Sequence, residues 1–343
     1  MSAIRLLRLL FAAIILLAAG CGGGSPGGPG FSNAGGSGGS GGSGGGGSGN
    51  GNGNGNGSSG GGSGSSSGGV TVSSDGGSKT VTLTMGPFTV PAGTEVFKCQ
   101  NFANPFGGQD TDIDEYDEQM TEGSHHMFLF FAAGATDSAV ADCSAGGLTF
   151  GPYPFGAQTP TATLTYPDGV GSRIPGTMGF MMNAHFLNAT AKDFQATLTV
   201  TMHVAEPGSV KQYAGVVFMN NISLVIPPTN TPYQATSSCI LPQDMYVLES
   251  TAHMHQRADS FVATTGGQTL YTTQSWSNAV PEKYTPPMQL KAGTDIDWTC
   301  TYTNDTGAPL TFGESAERNV MCIYMMQFYP LADPSNPTIQ CHT

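Results

Sequence analysis

From Val70 onward the chain alternates apolar and polar residues in short runs, most plainly in Thr80-Val81-Thr82-Leu83-Thr84-Met85 and Ala196-Thr197-Leu198-Thr199-Val200-Thr201-Met202. A period of two sends every other side chain to one face, the pattern of a strand with one side buried and one side wet. Turn-forming residues separate the runs. No stretch of ten or more residues keeps a helical period, so the pattern predicts an all-β fold built from antiparallel strands. The roughly 270 residues that follow Val70 exceed what one sandwich needs, which predicts two antiparallel, jelly-roll-like β-sandwich domains. The Glu206-Pro207-Gly208 stretch marks the predicted boundary, giving domains at 70–208 and 209–343.

The pattern before Val70 is different in kind. Arg5 and Arg8 precede an apolar run, Leu9 to Leu17, that is too short to span a bilayer and predicts an export signal over residues 1–20. The run ends in Leu17-Ala18-Ala19-Gly20-Cys21, which resembles the lipobox of bacterial lipoproteins. That resemblance implies cleavage after Gly20 and acylation of Cys21. Residues 22–69 are almost wholly Gly, Ser and Asn, with too few apolar side chains, Phe31 and Ala34 among them, for burial to offset the entropy of ordering them. A coil of this composition reaches about 35–40 Å, enough to hold a domain clear of lipid headgroups. The expectation is an exported protein, lipid-anchored to a bacterial outer membrane or cell surface, that meets the membrane only through its anchor.

Loss of Arg5 and Arg8 with the signal would move the formal charge from −13 to about −15. This disfavours nucleic acid and anionic lipid as partners. Of seven cysteines, six remain once Cys21 is set aside: Cys99, Cys143, Cys239, Cys300, Cys322 and Cys341. An even number in an exported chain predicts three disulfides, and the absence of any C-x-x-C pair argues against zinc. Fifteen pairings are open on number alone. The predicted boundary leaves two of the six before it and four after it, so each domain can close its own.

Candidate chemistry lies in the histidines. Of seven, five fall in three tight contexts: His125-His126, His185 and His253-Met254-His255. On a strand, His253 and His255 share a face and form a two-imidazole grip. Adjacent His125 and His126 would point to opposite faces of a regular strand, so joint ligation requires a local twist or bulge. Imidazole suits zinc, copper, iron and nickel alike, whereas a thioether such as Met321, beside Cys322, would favour Cu(I). His203 reads as structural and His342 as solvated. Met178, Met181 and Met182 read as core filler. The acidic run Asp110 to Glu115 lacks the glycine a calcium loop needs at its sixth position and reads as a solvated loop.

The segments Gly123-Ser124-His125-His126-Met127-Phe128-Leu129-Phe130, Met182-Asn183-Ala184-His185-Phe186, His253-Met254-His255 and Val320-Met321-Cys322, in that order, resemble the copper type II ascorbate-dependent monooxygenases. This is the family of peptidylglycine α-hydroxylating monooxygenase and dopamine β-monooxygenase. Lesser similarities, Ser223 to Pro228 and Thr299-Cys300-Thr301-Tyr302, fall between the motifs, and the resemblance spans about Val70 to Cys341. It implies two copper ions. One, held by His125, His126 and His185, stores an electron; the other, held by His253, His255 and Met321, activates dioxygen. It places them in separate domains across a solvent-filled cleft, with ascorbate or a similar reductant as co-substrate. It also implies the disulfides Cys99–Cys143, Cys239–Cys341 and Cys300–Cys322. The implied activity is an oxidoreductase that hydroxylates a C–H bond. A non-catalytic copper-binding or copper-handling lipoprotein is the alternative.

The sequence departs from the peptide-processing members where they bind a substrate carboxylate: Thr251, Ile323 and Met325 stand at those positions. Without a cation there, a peptide carboxylate is disfavoured and a small, neutral or apolar substrate is expected. Tyr324 is displaced by one residue, which on a strand turns it to the other face.

Overall fold

The structure is a computed structural model that describes residues 68–75, 78–143 and 151–342. The predicted signal at 1–20, Cys21 and nearly all of the predicted linker lie outside these residues. Among the described residues every regular element is a strand.

The two runs singled out by their alternation form the strands Ser78–Val90 and Phe194–Val204, and they pair with each other, Val200 opposite Leu83 and Met202 opposite Val81. Their apolar positions, Val81, Leu83, Met85, Ala196, Leu198, Val200 and Met202, are fully buried. This pair is the middle of a seven-stranded sheet that also holds Val70–Asp75, Thr111–Met120, Thr161–Thr165, Val170–Ile174 and Gln212–Tyr213. A five-stranded sheet packs on it, in the order Ala141–Asp142, Glu95–Phe102, Met178–Leu187, Ser124–Ala133, Phe155–Ala157. Phe102, Met127, Leu129, Phe180, Met182 and Phe186 of this second sheet meet the alternating residues of the first in one core.

The rest of the chain repeats the arrangement. A five-stranded sheet, ordered Glu282–Leu290, Met245–Met254, Cys322–Tyr329, Gly215–Asn220, Thr338–His342, packs on a four-stranded one of Pro232–Ile240, Asp295–Thr303, Ala258–Thr265 and Gln268–Thr273. The pairing is antiparallel except where Gly215–Asn220 meets Thr338–His342 and Gln212–Tyr213 meets Val170–Ile174. Glu206 to Gly208 is a turn, closed by the Ser209 amide donating to the Glu206 carbonyl. The chain then adds Gln212–Tyr213 to the first sheet before core membership changes between Ala214 and Val217.

Two strands read as continuous apolar runs because both of their faces are covered. In Ser124–Ala133, Met127 and Leu129 face the first core while Phe128 and Phe130 face outward. In Gly215–Asn220, Val217 and Met219 face the second core while Val216 and Phe218 face outward. The outward residues join Tyr153, Met321 and Ile323 in a third buried cluster, an apolar seam between the two cores.

The six cysteines pair as Cys99–Cys143, Cys239–Cys341 and Cys300–Cys322, the set the resemblance implies. The acidic run differs from expectation. Thr111–Met120 is a strand, because Ile113 and Tyr116 are fully buried and carry the intervening acids with them. Arg173 offsets that charge, its Nε donating to Asp112 Oδ1 at 2.8 Å with Asp110 3.7 Å from its Nη1.

Candidate metal centre

Both strands that carry the first three histidines belong to the sheet nearest the seam. His185 sits opposite His126, but the next pair is Phe186 with Ser124, so His125 is the extra residue of a β-bulge. The bulge breaks the alternation that would otherwise send adjacent side chains to opposite faces. As a result all three rings converge, with centroids 5.0–5.1 Å apart. His253 lies in the strand Met245–Met254, whereas His255, expected on the same strand, falls just beyond its end, in a turn closed by the Ala258 amide donating to the His255 carbonyl. Arg257 in that turn has φ 78°, a left-handed conformation that non-glycine residues adopt at a cost. Its guanidinium donates to the Glu317 carbonyl at 2.5 Å and to Asp305 at 3.3 Å, which holds the turn.

The structure brings the two histidine groups into contact. His125 lies 4.7 Å from His253 and 5.6 Å from His255, and His126 lies 4.8 Å from His253, ring centre to ring centre. The ligand nitrogens of His125, His126 and His185 fall within 4.8 Å of one another, and so do those of His125, His253 and His255. His125 is therefore common to both groupings. This corrects the expectation of two centres facing each other across a solvent-filled cleft. The seam is filled by Phe128, Phe130, Tyr153, Val216, Phe218 and Ile323, whose burial draws the two halves together and leaves His125, His185, His253 and His255 inaccessible to water.

Met321 is 3 % exposed and belongs to the seam cluster. Cys322 pairs with Met254 and Ile323 with His253, so Met321, one residue earlier, falls on the face that carries His253 and His255. Alternate residues of one strand hold this segment. Tyr302 donates its hydroxyl to the Met321 carbonyl, Trp298 Nε1 donates to the Cys322 carbonyl at 3.2 Å, and Cys300 is bonded to Cys322.

Burial depresses the basicity of every ring in the cluster, to about 3 for His125 and well below the usual value for His126, His253 and His255; neighbouring imidazoles add to the effect. His185 is lowered by burial against the opposing pull of Glu95. The rings are thus neutral, the form that binds a metal. Two have a proton position set by a partner. Gln158 Oε1 accepts a hydrogen bond from His253 Nδ1–H at 3.0 Å, which leaves Nε2 bare. Glu95 Oε1 accepts a hydrogen bond from His185 Nε2–H at 2.8 Å, which leaves Nδ1 bare. Burial raises the Glu95 pKa, but hydrogen bonds from His185, Ser315 and Ala316 outweigh it and hold the carboxyl at about 2. Phe97 stacks on His185 at 4.0 Å and fixes the ring plane.

Buried ring nitrogens without hydrogen-bond partners are His126 Nδ1, His185 Nδ1, His253 Nε2 and both of His125; His255 is also buried, with the Asn319 backbone as its one polar neighbour. Each buried polar atom left unpaired costs about 1–3 kcal/mol. Neutral imidazoles with converging lone pairs fit a soft or borderline metal such as copper and offset that cost when they ligate it.

A cavity of about 440 Å³ opens beside His126 and His253. Phe128, Tyr153, Phe155, Val216, Val280 and Met325 give it an apolar wall. Its floor is the ladder between Met245–Met254 and Cys322–Tyr329, where Glu249 faces Gln327 and Thr251 faces Met325. Thr251 and Met325 therefore line the cavity, Ile323 lies in the seam, and Tyr324 turns away into the second core. Lys283 also lines the cavity, a cation absent from the positions considered in the sequence, with its Nζ donating to the Thr163 carbonyl at 2.7 Å. Its cross-strand neighbour Glu249 counters it, with a pKa pushed to about 7 by burial and moderated by Lys283.

His203 lies outside this centre, on the outer face of the seven-stranded sheet, 2.8 Å from Asp117 and 3.6 Å from Glu115. His342 is exposed and pairs with Asn220 at 2.6 Å. Met182 is core, and Met181 packs against the seam. Sequence reasoning missed Glu95 and Gln158. Each is a single polar residue in an unremarkable stretch, and only the fold sets it against an imidazole.

No family model matches the chain, and no curated protein matches it. Among solved structures, the major capsid protein P2 of bacteriophage PM2 aligns with TM-score 0.31 and 6 % identity, over 74 % of this chain and 98 % of that one. A conserved protein of unknown function from Pseudomonas aeruginosa PAO1 aligns with TM-score 0.23 and 9 % identity, over 76 % and 89 %. PNGase F, a glycosylasparaginase from Flavobacterium meningosepticum, aligns with TM-score 0.24 and 10 % identity, over 80 % and 95 %. Likenesses this distant say nothing about chemistry.

Proposed function

We propose, first, that the chain is a copper protein and, more specifically, that it is an ascorbate-type copper monooxygenase. It would convert a C–H bond to C–OH with one atom of dioxygen, while two electrons from the reductant and two protons carry the other atom to water. The observation that supports this reading most is the convergence of five neutral imidazoles from three separate stretches, four of them buried and His126 half-buried, with bare nitrogens, His126 and His253 reaching the wall of an apolar cavity. Copper would supply one-electron redox change and dioxygen activation, which no side chain in the cavity provides. His125, His126, His185, His253, His255 and Met321 are the proposed ligands. Gln158 and Glu95 orient two of the rings, and the aromatic wall seats the substrate and excludes water.

The lining fits a small molecule that is neutral or apolar over most of its surface. Export, the Cys21 anchor and a bacterial surface location remain part of the proposal, and the three disulfides suit an oxidising compartment. A non-catalytic copper-handling protein would draw on the same imidazoles. The cavity beside His126 and His253 favours turnover, because storage of a metal needs no chamber for a second molecule.

The test is copper stoichiometry on the purified protein, followed by ascorbate-driven oxygen uptake across a panel of small apolar substrates. Two coppers per chain and product formed in step with oxygen consumed are expected. In Met321→Ile, copper should stay bound by His125, His126 and His185 while coupled turnover is lost. Copper uptake without coupled turnover on any substrate would leave the handling protein as the answer, and unchanged turnover in Met321→Ile would remove sulfur from the centre.

A further inference from the structure

Glu95 lies at the start of the Glu95–Phe102 strand, outside every ligand set; it touches His185 directly and the second histidine group only through the Ser315–Ala316 backbone. Its Oε1 accepts from His185 Nε2 at 2.8 Å and from the Ala316 amide at 2.5 Å, while its Oε2 accepts from the Ser315 hydroxyl at 2.6 Å. The Ala316 carbonyl in turn accepts from the Gln256 amide at 3.1 Å, and Gln256 is the residue next to His255. The Ser315 carbonyl accepts from the Asn319 amide at 2.9 Å, two residues before Met321. One carboxylate and two successive peptide units thus join His185 on one side of the seam to the residue next to His255 and the approach to Met321 on the other.

We propose that Glu95 is a positioning residue that couples the two ligand groups, so that metal held by one group strengthens the hold of the other. The inference rests on the copper reading above. Coordination at His185 Nδ1 withdraws electron density from the ring and makes its Nε2–H a stronger donor to Glu95. The more firmly Glu95 is held, the less the Ser315–Asn319 segment wanders, and with it the turn at His255 and the entry to Met321. Reciprocity requires the converse, that metal at His253 and His255 steadies His185 through the same atoms. Glu95 is well suited to this because its oxygens accept three hydrogen bonds at once. A glutamine can keep Oε1 on His185 and Ala316 and turn the Ser315 hydroxyl into an acceptor, but every bond then loses the carboxylate charge that strengthens it.

The test compares wild type, Glu95→Gln, Glu95→Ala and Ser315→Ala as full-length protein. Cu(I) is titrated against a chromophoric chelator, and copper–sulfur scattering is followed by X-ray absorption. Wild type should take up its second copper more tightly than independent binding predicts. Glu95→Ala should weaken both coppers by about 10–100-fold and abolish that cooperativity. Ser315→Ala, which leaves the His185 contact intact, should reduce cooperativity while sparing the first copper. Loss confined to the first copper in Glu95→Ala, with the second copper and its sulfur scattering unchanged, would overturn the coupling. Amide hydrogen exchange on the metal-free proteins separates this result from failure of the copper reading. The Gln256 and Ala316 amides should exchange faster in Glu95→Gln than in wild type, and equal exchange would overturn the strut whether or not copper binds. Should Glu95→Ala not fold, Glu95→Gln and Ser315→Ala carry the same comparison.

Discussion

Replacing Gln158 by Leu isolates the contribution of a single amide to the centre. Gln158 comes from the first half of the chain and is buried against the second. Its Oε1 accepts from His253 Nδ1–H at 3.0 Å, and its Nε2 donates to Thr251 Oγ1 at 3.0 Å and to the Ala252 carbonyl. Leucine has a similar volume, so the change removes hydrogen bonds with little loss of packing. Thr251 keeps a second bond, its hydroxyl donating to the Ala279 carbonyl at 2.9 Å. His253 has no such reserve. Leaving its Nδ1–H buried and unpaired costs about 1–3 kcal/mol, a fraction of the 5–15 kcal/mol typical of a folded domain, so the variant should still fold. The larger effect falls on ligation, because nothing then keeps the proton on Nδ1 or holds the ring plane. Loss of an orienting partner typically weakens metal binding about 10–100-fold, or roughly 1.4–2.7 kcal/mol. Chelator competition measures the affinity and urea unfolding of the metal-free protein measures the stability. Affinity within about threefold of wild type, in a variant that has lost 1 kcal/mol or more of stability, would refute the claim that Gln158 sets the His253 tautomer.

Two further outcomes follow from the structure. Glu118 lies in the first core with both carboxylate oxygens buried and unpaired, and burial pushes its pKa to about 9. A carboxyl raised in the folded state stabilises fully below its unfolded value near 4.5, and that stability drains away as pH rises towards 9. Glu118→Gln should therefore gain on wild type by about 2–3 kcal/mol between pH 5 and pH 7 in urea unfolding, and a difference that does not vary with pH would refute the burial argument. Removing the Cys300–Cys322 bridge by a double change to Ala opens a closure of 22 residues. It should cost about 3 kcal/mol in the chain-entropy model and weaken Cu(I) binding by freeing the backbone next to Met321; retained affinity would show that Trp298 and Tyr302 suffice.

The residues most legible in the sequence were those whose role is written in their own neighbourhood. Val81, Leu83 and Met85 announce a buried face by alternation, and the His125-His126 pair demanded the bulge that the structure contains. The cysteine pairs came from a family resemblance, since number alone left fifteen choices. What stayed hidden depends on residues far apart in the chain. Alternation tells which side of a strand a residue occupies but not what lies across from it, so the meeting of His125 with His253 could not be read. Glu95 and Gln158 were silent for the same reason. The Asp110 to Glu115 run reads as a loop because its charge density outweighs the buried positions, Ile113 and, just beyond it, Tyr116, that make the segment a strand.

The cluster around Phe128, Phe130, Val216 and Phe218 gives the two sandwiches a shared interior. Genetic dissection at the apparent domain border would strip that interior open on both fragments, and each would carry a greasy slab of aromatic and branched side chains into water. Such fragments should stick to each other or precipitate. Neither sandwich can thus be cut from the other without laying this shared interior bare.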